Sequence, residues 1–280
     1  MKSCILVRYD EIGLRGKNRP MFERILNENI RQAYLADALH PGPVEKRMGR
    51  LIVHSGNGKP LKQVFGISSY SVAFETEPDI KAMADAAMRL CELHPNVSFR
   101  VSCQRLDKTM SLTSRDVDRL LGAELVERTN AEVDLTEFDW EIGVELISGK
   151  SYVFVDRIRC FAGLPVGSEG TVLALIDNEA SVLAALLMLR RGCAVVPVSF
   201  SDKQHSILAK FNSRAQRLLK NEGDVDIIAK EVGAKALVVG QLLHEVRDIE
   251  TFLLVLRPLV GCDERHVKVK LNEFMSDSAN

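Results

Sequence analysis

The sequence lacks the features that mark zinc sites, disulfide-rich domains and membrane spans. Its six cysteines are scattered over 280 residues, with no C-x-x-C pair and no His-x-x-x-His pair. This spacing predicts small core residues in a reducing compartment and no metal site. No apolar run approaches 18 residues, and charge follows the start too early for a signal peptide. We therefore predict no membrane contact and a cytoplasmic location.

The chain also has little net charge, −1 over all its residues, but the charge is unevenly distributed. Residues 1–60 carry 11 Lys and Arg against 6 Asp and Glu, whereas residues 61–160 carry 12 against 17. A polyanionic partner is therefore expected to meet the N-terminal segment first.

Periodicity divides the chain into three parts. Residues 1–76 follow the order βαββαβ, which predicts a ferredoxin-like domain. Residues 77–161 are predicted to form a second α/β module, with a tight hairpin turn at 147–150. The Gly- and Pro-containing stretch 162–170 is interpreted as a linker. From 168 to 280, apolar strands alternate with helices predicted at 181–191, 205–221 and 224–233, which favours a parallel, Rossmann-like sheet covered on both faces.

The turn between the strand at 171–176 and the following helix is where a doubly wound sheet would hold nucleotide phosphates. A phosphate cradle favours glycines, so that backbone N–H groups can approach the anion. This turn instead reads Asp177-Asn178-Glu179-Ala180, without glycine and with two acids. The two carboxylates would repel a triphosphate. A Mg²⁺ ion bound between Asp177 and Glu179 would turn this repulsion into attraction. The helix after the turn is apolar nearly all round and is expected to be buried.

Several stretches together resemble the tRNA sulfurtransferase family, the 4-thiouridine synthases also linked to thiamine biosynthesis. They are "RYDEIGLRGKNRPMFERILNENI" at the N-terminus, "FRVSCQRLDKTMSLTSRDVDRLLGAEL" and "VDLTEFDWEIGVELISGKSYVFVDRI" in the middle, and "GLPVGSEGTVLAL" and "VLRPLVGCDERHV" later. The resemblance implies a ferredoxin-like domain (1–76), an RNA-binding THUMP domain (77–161) and a shortened PP-loop domain (168–280).

The departures from the family lie in the third domain. The family's S-G-G-x-D-S pyrophosphate loop falls on residues 176–181 and keeps only Ser181. Its G-E-S-L-G-Q-V-A-S-Q-T box falls on residues 240–250, "GQLLHEVRDIE", and loses the Ser-Gln-Thr. The resemblance thus implies a degenerate PP-loop whose vestigial nucleotide positions are Leu175, Ser181, Phe200 and Gly240.

Basic residues beside glycines form the candidate RNA surface, because glycine lets phosphates approach the backbone. The alternative for each is a solvated loop or surface pair. The candidates are Arg15, Lys17 and Arg19 in the first loop, Arg47 and Arg50 around "KRMGR", and Arg105 and Lys108 after the strand "FRVSCQ". No catalytic residue is predicted: Cys193 and Cys262 are interpreted as structural, and His205 and His244 are not expected to act as general bases.

These observations predict a tRNA-binding member of the sulfurtransferase group, without an intact ATP-pyrophosphatase loop and with no expected cofactor. Its partners would be tRNA and a separate thiolation or sulfur-carrier protein. Two alternatives stay open: an active enzyme that uses ATP and Mg²⁺ through divergent residues, and a structural or regulatory protein that keeps only the fold.

Overall fold

The structure, a computed structural model, describes residues 1–108, 111–201, 206–211, 215–221 and 223–276. The helices are α1 (Arg19–Ala36), α2 (Ile80–Leu90), α3 (Ser114–Thr129), α4 (Glu179–Arg190), α5 (Ser206–Lys210), α6 (Asp224–Val232) and α7 (Glu264–Ser276). The strands are β1 (Lys2–Arg8), β2 (Val44–Arg47), β3 (Arg50–Val53), β4 (Ser69–Thr76), β5 (Ser98–Arg105), β6 (Glu132–Val133), β7 (Trp140–Ile147), β8 (Lys150–Phe154), β9 (Ile158–Arg159), β10 (Thr171–Leu175), β11 (Ala194–Ser199), β12 (Arg217–Leu218), β13 (Ala236–Val238) and β14 (Leu254–Leu256). Short 3-10 helices span Glu11–Leu14, Gly16–Asn18, Lys59–Gln63 and Leu243–Glu245.

The chain forms two compact units, each assembled from separate segments. The first unit consists of Met1–Tyr9, His40–Lys59 and Ser69–Arg159. The second consists of Asp10–Leu39, Pro60–Ser68 and Cys160–Asn280. Because each unit combines separate segments, this division does not test the predicted domain boundaries at 76 and 161, which stay predictions.

The first unit contains one mixed sheet in the order β2-β3-β1-β4-β8-β7-β5-β6, with β9 paired to β4. The β7–β8 hairpin turns at Ser148 and Gly149, where φ is 49° and 77°. Two consecutive positive φ angles give the tight turn that the sequence predicts here. Helix α3 starts with a capping box between Thr113 and Asp116 and ends at Asn130 in the left-handed conformation. Helices α2 and α3 then share an apolar core with the sheet.

The second unit contains a parallel five-stranded sheet in the order β12-β11-β10-β13-β14. Alternate residues of β10 face opposite sides, since Val172 and Ala174 pack with α4 and α7, whereas Leu173 packs with α6. This confirms the predicted parallel sheet covered on both faces. Helix α4 is buried along most of its length, as its all-round apolar sequence predicts.

One predicted helix is wrong. The segment 205–221 contains only the short helix α5, followed by strand β12; His205 and residues 212–214 lie outside the described residues. Arg217 and Leu218 pair in parallel with Val198 and Ser199. Backbone pairing with the edge of β11 thus overrides the helix propensity of "AQRLLK", residues 215–220.

The glycine-rich stretch 162–170, interpreted as a linker, is hydrogen-bonded to the turn between α4 and β11 in the second unit. Leu164 N–H donates to the Arg190 carbonyl at 2.9 Å, and Gly167 and Glu169 N–H groups both donate to the Gly192 carbonyl. Gly163 has φ +82°, and a Cβ there would lie 2.2 Å from the Arg190 carbonyl oxygen. The glycines therefore serve close backbone packing.

Within the described parts of the chain, the helices all fall short of the combination of length and hydropathy that crossing a bilayer demands.

Candidate functional site

The candidate site is a cleft at the carboxyl ends of β10 and β13. From β10 the chain winds to β11 and β12 on one side, then returns to β13 and β14 on the other. The strand order therefore reverses between β10 and β13, which pair in parallel through Ala174 and Val238. Ligands of open α/β sheets bind at this switch point.

The cleft has a volume of about 250 Å³ and contains charged groups of both signs. Its lining includes Asp177, Glu245, whose Oε2 accepts from Leu242 N–H at 2.9 Å, and Arg247. Glu179, which the sequence pairs with Asp177 as a Mg²⁺ ligand, is not among the lining residues. The lining comprises Leu175, Asp177, Asn178, Val239, Gly240, Gln241, Glu245, Arg247 and Ile249.

Two backbone N–H groups of the turn before α4, those of Asp177 and Asn178, are bound by one of the protein's own side chains. Ser181 Oγ accepts from both Asp177 N–H and Asn178 N–H at 3.0 Å and donates to the Asn178 carbonyl at 2.7 Å. Asn178 is the N-cap, and its Oδ1 accepts from Ser181 N–H at 2.9 Å. The turn thus forms a closed capping box around the one serine that it shares with the family loop.

The opposite wall of the cleft approaches this turn through Gly240. A Cβ on Gly240 would lie 2.2 Å from Ser181 N and 2.6 Å from the Ala180 carbonyl carbon. Beyond it, Arg257 holds residues 240–250 by donating to Gln241 Oε1 at 2.9 Å and to the Arg247 carbonyl at 2.8 Å. The wall is therefore shaped by contacts inside the protein.

The four positions that the sequence predicts as vestigial nucleotide contacts lie in different surroundings. Leu175 and Gly240 line the cleft, and Ser181 lies behind the turn with its side chain 1% exposed. Phe200 is 55% exposed and is not among the lining residues. Their role toward a nucleotide stays a prediction.

Three of the candidate RNA residues belong to the second unit. Arg15 lies 3.4 Å from Glu169 and over the ring of Phe22, and Arg19 pairs with the buried Glu23 at 2.7 Å. Lys17 is exposed. Of the predicted basic loop, Lys17 is therefore the cation most available to solvent.

The other four candidates belong to the first unit. Arg47 pairs with Glu45 at 2.5 Å, and Arg105 donates to the Leu112 carbonyl at 3.3 Å. Arg50 binds Glu145 and reaches Gln104, next to Arg105, at 3.3 Å. Lys108 is exposed. The structure thus brings Arg50 near the end of β5, whereas Arg15, Lys17 and Arg19 lie in the other unit.

Glu145 is a residue that the sequence reasoning missed. It is fully buried in β7 and binds Arg8 as well as Arg50. The available signal was an acid at an alternating position of the apolar strand "WEIGVELI", since a charge in such a place needs a partner.

Four of the thiols lie in settings that disfavour the thiolate. Burial raises the pKa of Cys4 and of Cys103 to about 12 and that of Cys91 to about 11. The pKa of Cys193 is also raised, first by burial and then by Glu169. In the parts of the chain that the structure describes, no three His, Cys, Asp or Glu side chains are placed to hold a metal ion.

Two family models match the chain. The ThiI ferredoxin-like domain matches residues 4–71, and the THUMP domain matches residues 74–156. A curated relative from Thermococcus kodakarensis, described as "Probable tRNA sulfurtransferase", is 32% identical over 328 aligned residues, covering 95% of this chain and 86% of that protein. Because the alignment is longer than this chain, the relative contains residues that this chain lacks.

Two solved structures have the same fold. PH1313 from Pyrococcus horikoshii Ot3 matches with a TM-score of 0.86 and 27% identity, over 98% of this chain and 99% of that one. A 4-thiouridine synthetase–RNA complex with bound ATP matches with a TM-score of 0.78, over 99% of this chain and 86% of that one, but its 24% identity supports the fold alone. The extent of the match to the Thermococcus protein decides the family: this chain belongs to the tRNA sulfurtransferases.

Proposed function

We propose that this protein binds tRNA and takes part in tRNA 4-thiouridine formation without itself adenylating the RNA. Its family, the THUMP match and the RNA bound to the related 4-thiouridine synthetase support the first half. A separate thiolation or sulfur-carrier protein would then supply the chemistry that this chain lacks.

The observation that carries the second half is the capping box at Ser181. A triphosphate needs free backbone N–H groups, but those of Asp177 and Asn178 already donate to Ser181 Oγ. The side chains also oppose it, since Asp177 and Glu245 outnumber Arg247 in the cleft. The cleft, at about 250 Å³, is below the range of about 300–1,000 Å³ usual for small-molecule sites. These three features of the cleft support a protein that does not adenylate RNA.

Calorimetric titration with ATP and Mg²⁺ tests the second half. We expect no dissociation constant tighter than about 1 mM, with the ATP-binding 4-thiouridine synthetase as the positive control. A constant below about 0.1 mM, or roughly −5.5 kcal/mol, would overturn the proposal. The alternative of an active enzyme would then stand, with Asp177 and Glu245 as the carboxylates available to Mg²⁺.

Fluorescence anisotropy with labelled tRNA tests the first half. We expect saturable binding whose affinity falls as KCl rises, because bound phosphates release counterions. The double variant Asp177→Ala, Glu179→Ala should leave this affinity unchanged. Both acids lie at the start of α4, and neither is among the basic residues expected to bind RNA. Absence of tRNA binding by the unaltered protein at low salt would refute the RNA half and leave the ATP result unaffected.

A further inference from the structure

The first unit contains a cluster of three arginines around one buried carboxylate. Glu145 Oε1 lies 2.6 Å from Arg8 Nε, and Glu145 Oε2 lies 2.7 Å from Arg50 Nε. Arg157, from the segment between β8 and β9, places a terminal nitrogen 3.6 Å from Oε1. We refer to Arg8, Arg50, Glu145 and Arg157 as the Glu145 cluster.

The charges of the cluster do not balance. Three guanidinium groups face one carboxylate, which leaves two positive charges in excess. The further contacts are neutral: Arg8 donates to Ser71 Oγ at 2.9 Å, and Arg50 reaches the Gln104 side chain. Over the described parts of the chain, no second carboxylate ion-pairs with any of these three arginines. The mutual repulsion needs another anion, because like charges at close range are costly.

The cluster also has an unused donor. Arg8 is 4% exposed, and its second terminal nitrogen is buried with no hydrogen-bond partner in the described structure. Burial lowers the pKa of Arg8 to about 10, against the opposing effect of Glu145, and Arg157 and Arg50 lower it further. A buried guanidinium N–H without an acceptor is costly, so Glu145 and Ser71 leave the charge of Arg8 incompletely compensated.

Access to solvent is graded across the three arginines. The side chain of Arg157 is 53% exposed, that of Arg50 is 13% exposed and that of Arg8 is 5% exposed. Phe154 supports the cluster, since the Arg8 and Arg157 guanidinium carbons lie 4.6 and 5.9 Å from its ring centroid. The outer arginine can therefore meet a ligand while the inner groups hold the arrangement.

We propose that the Glu145 cluster binds a backbone phosphate of the RNA, with Arg157 and Arg50 as the groups that contact it. Guanidinium groups suit this task, because their planar N–H pairs match the oxygens of phosphate. The inference rests on the proposed tRNA binding and deepens it by assigning one phosphate position. Glu145 orients the arginines, and the charge excess of the cluster provides the attraction.

The test compares Arg157→Ala, Arg157→Lys and the unaltered protein in tRNA binding over a KCl series. We expect Arg157→Ala to weaken binding about fivefold or more and to reduce the slope of log affinity against log salt by about 1. Arg157→Lys should keep the slope because it keeps the charge. Arg128→Ala is the matched control in the same unit, since Arg128 already pairs with both Asp85 and Glu124.

An unchanged affinity and slope for Arg157→Ala, while the unaltered protein binds tRNA, would overturn the phosphate site and leave the proposed function standing. If the unaltered protein binds no tRNA, the proposed function fails first. Melting in inorganic phosphate against chloride at equal ionic strength then decides the site. A phosphate-dependent rise in Tm that Arg157→Ala abolishes supports an oxyanion site at the cluster, and its absence refutes one.

Discussion

Gly240 lies so close to Ser181 that a Cβ on Gly240 would come within 2.2 Å of the Ser181 backbone nitrogen. The atoms that it would strike are backbone, which cannot rotate away. Gly240→Ala is therefore expected to separate the end of β13 from α4 and to cost about 1–3 kcal/mol of the free energy of unfolding.

Chemical denaturation monitored by circular dichroism measures this cost. Gly261→Ala is the matched control, because a Cβ there meets no atom within 4 Å and the backbone is not left-handed. Equal stabilities of the two variants would refute the close contact.

Ser181→Ala tests the capping box from the other side. The variant leaves the N–H groups of Asp177 and Asn178 without their acceptor and removes the donor to the Asn178 carbonyl. We expect a loss of about 1–3 kcal/mol in the free energy of unfolding. Ser276→Ala, at the exposed end of α7, should change it by less than about 0.5 kcal/mol. An equal free energy of unfolding for the two serine variants would show that Ser181 does not stabilise the turn.

Asp118 gives the first unit a pH dependence. Its carboxylate accepts from Cys103 N–H at 2.7 Å, but burial raises its pKa above the usual value. The stabilising contribution of the protonated form is therefore present below the unfolded pKa and lost as pH rises through the folded pKa. Asp118→Asn keeps the acceptor and removes the charge, so its Tm relative to the unaltered protein should rise between pH 3.5 and pH 7.

Asp134→Asn provides a control of opposite sign. Backbone N–H groups of Thr136 and Glu137 lower the pKa of Asp134, so its contribution is present above the unfolded pKa and lost as pH falls. The Tm of Asp134→Asn relative to the unaltered protein should therefore fall between pH 3.5 and pH 7. Parallel trends for the two variants would contradict the assigned causes.

Cys103 should alkylate slowly although it is only partly buried. Its pKa of about 12, raised first by burial and then by Asp118, leaves little thiolate at pH 8. We expect iodoacetamide to modify Cys103 in the folded protein at least about a hundredfold more slowly than an unstructured cysteine peptide. Mass spectrometry of the labelled tryptic peptide follows the reaction, and a rate within about tenfold of the peptide would disprove the shift.

Local sequence signals predicted the features that depend on neighbouring residues. The tight turn between β7 and β8 and the all-round apolar α4 were predicted, because each depends on residues within about one turn or one helix. The cleft followed from the strand–turn–helix order of residues 171–200, since such turns lie at the carboxyl edge of a parallel sheet.

Contacts between distant residues could not be read in this way. Arg8 and Arg50 meet Glu145 across 137 and 95 residues of chain, and nothing local to any of them signals the pairing. Strand β12 was missed for the same reason. Its Arg217 pairs with Val198 in another strand, whereas the residues next to Arg217 in the sequence favour a helix. Strand β14 and helix α7 were not predicted either, and the assignment of α1 to the same unit as the parallel sheet depends on tertiary packing.

The division of the chain has a consequence for the order in which the protein can fold during synthesis. Helix α1 leaves the ribosome early, yet its Asn29 side chain donates to the carbonyl of Val166, which is made 137 residues later. Meanwhile every strand of the mixed sheet has been completed by Arg159. All strands of the first unit are therefore made before the hydrogen bond between Asn29 and Val166 can form. A nascent chain stalled between these points would be the form most in need of a chaperone.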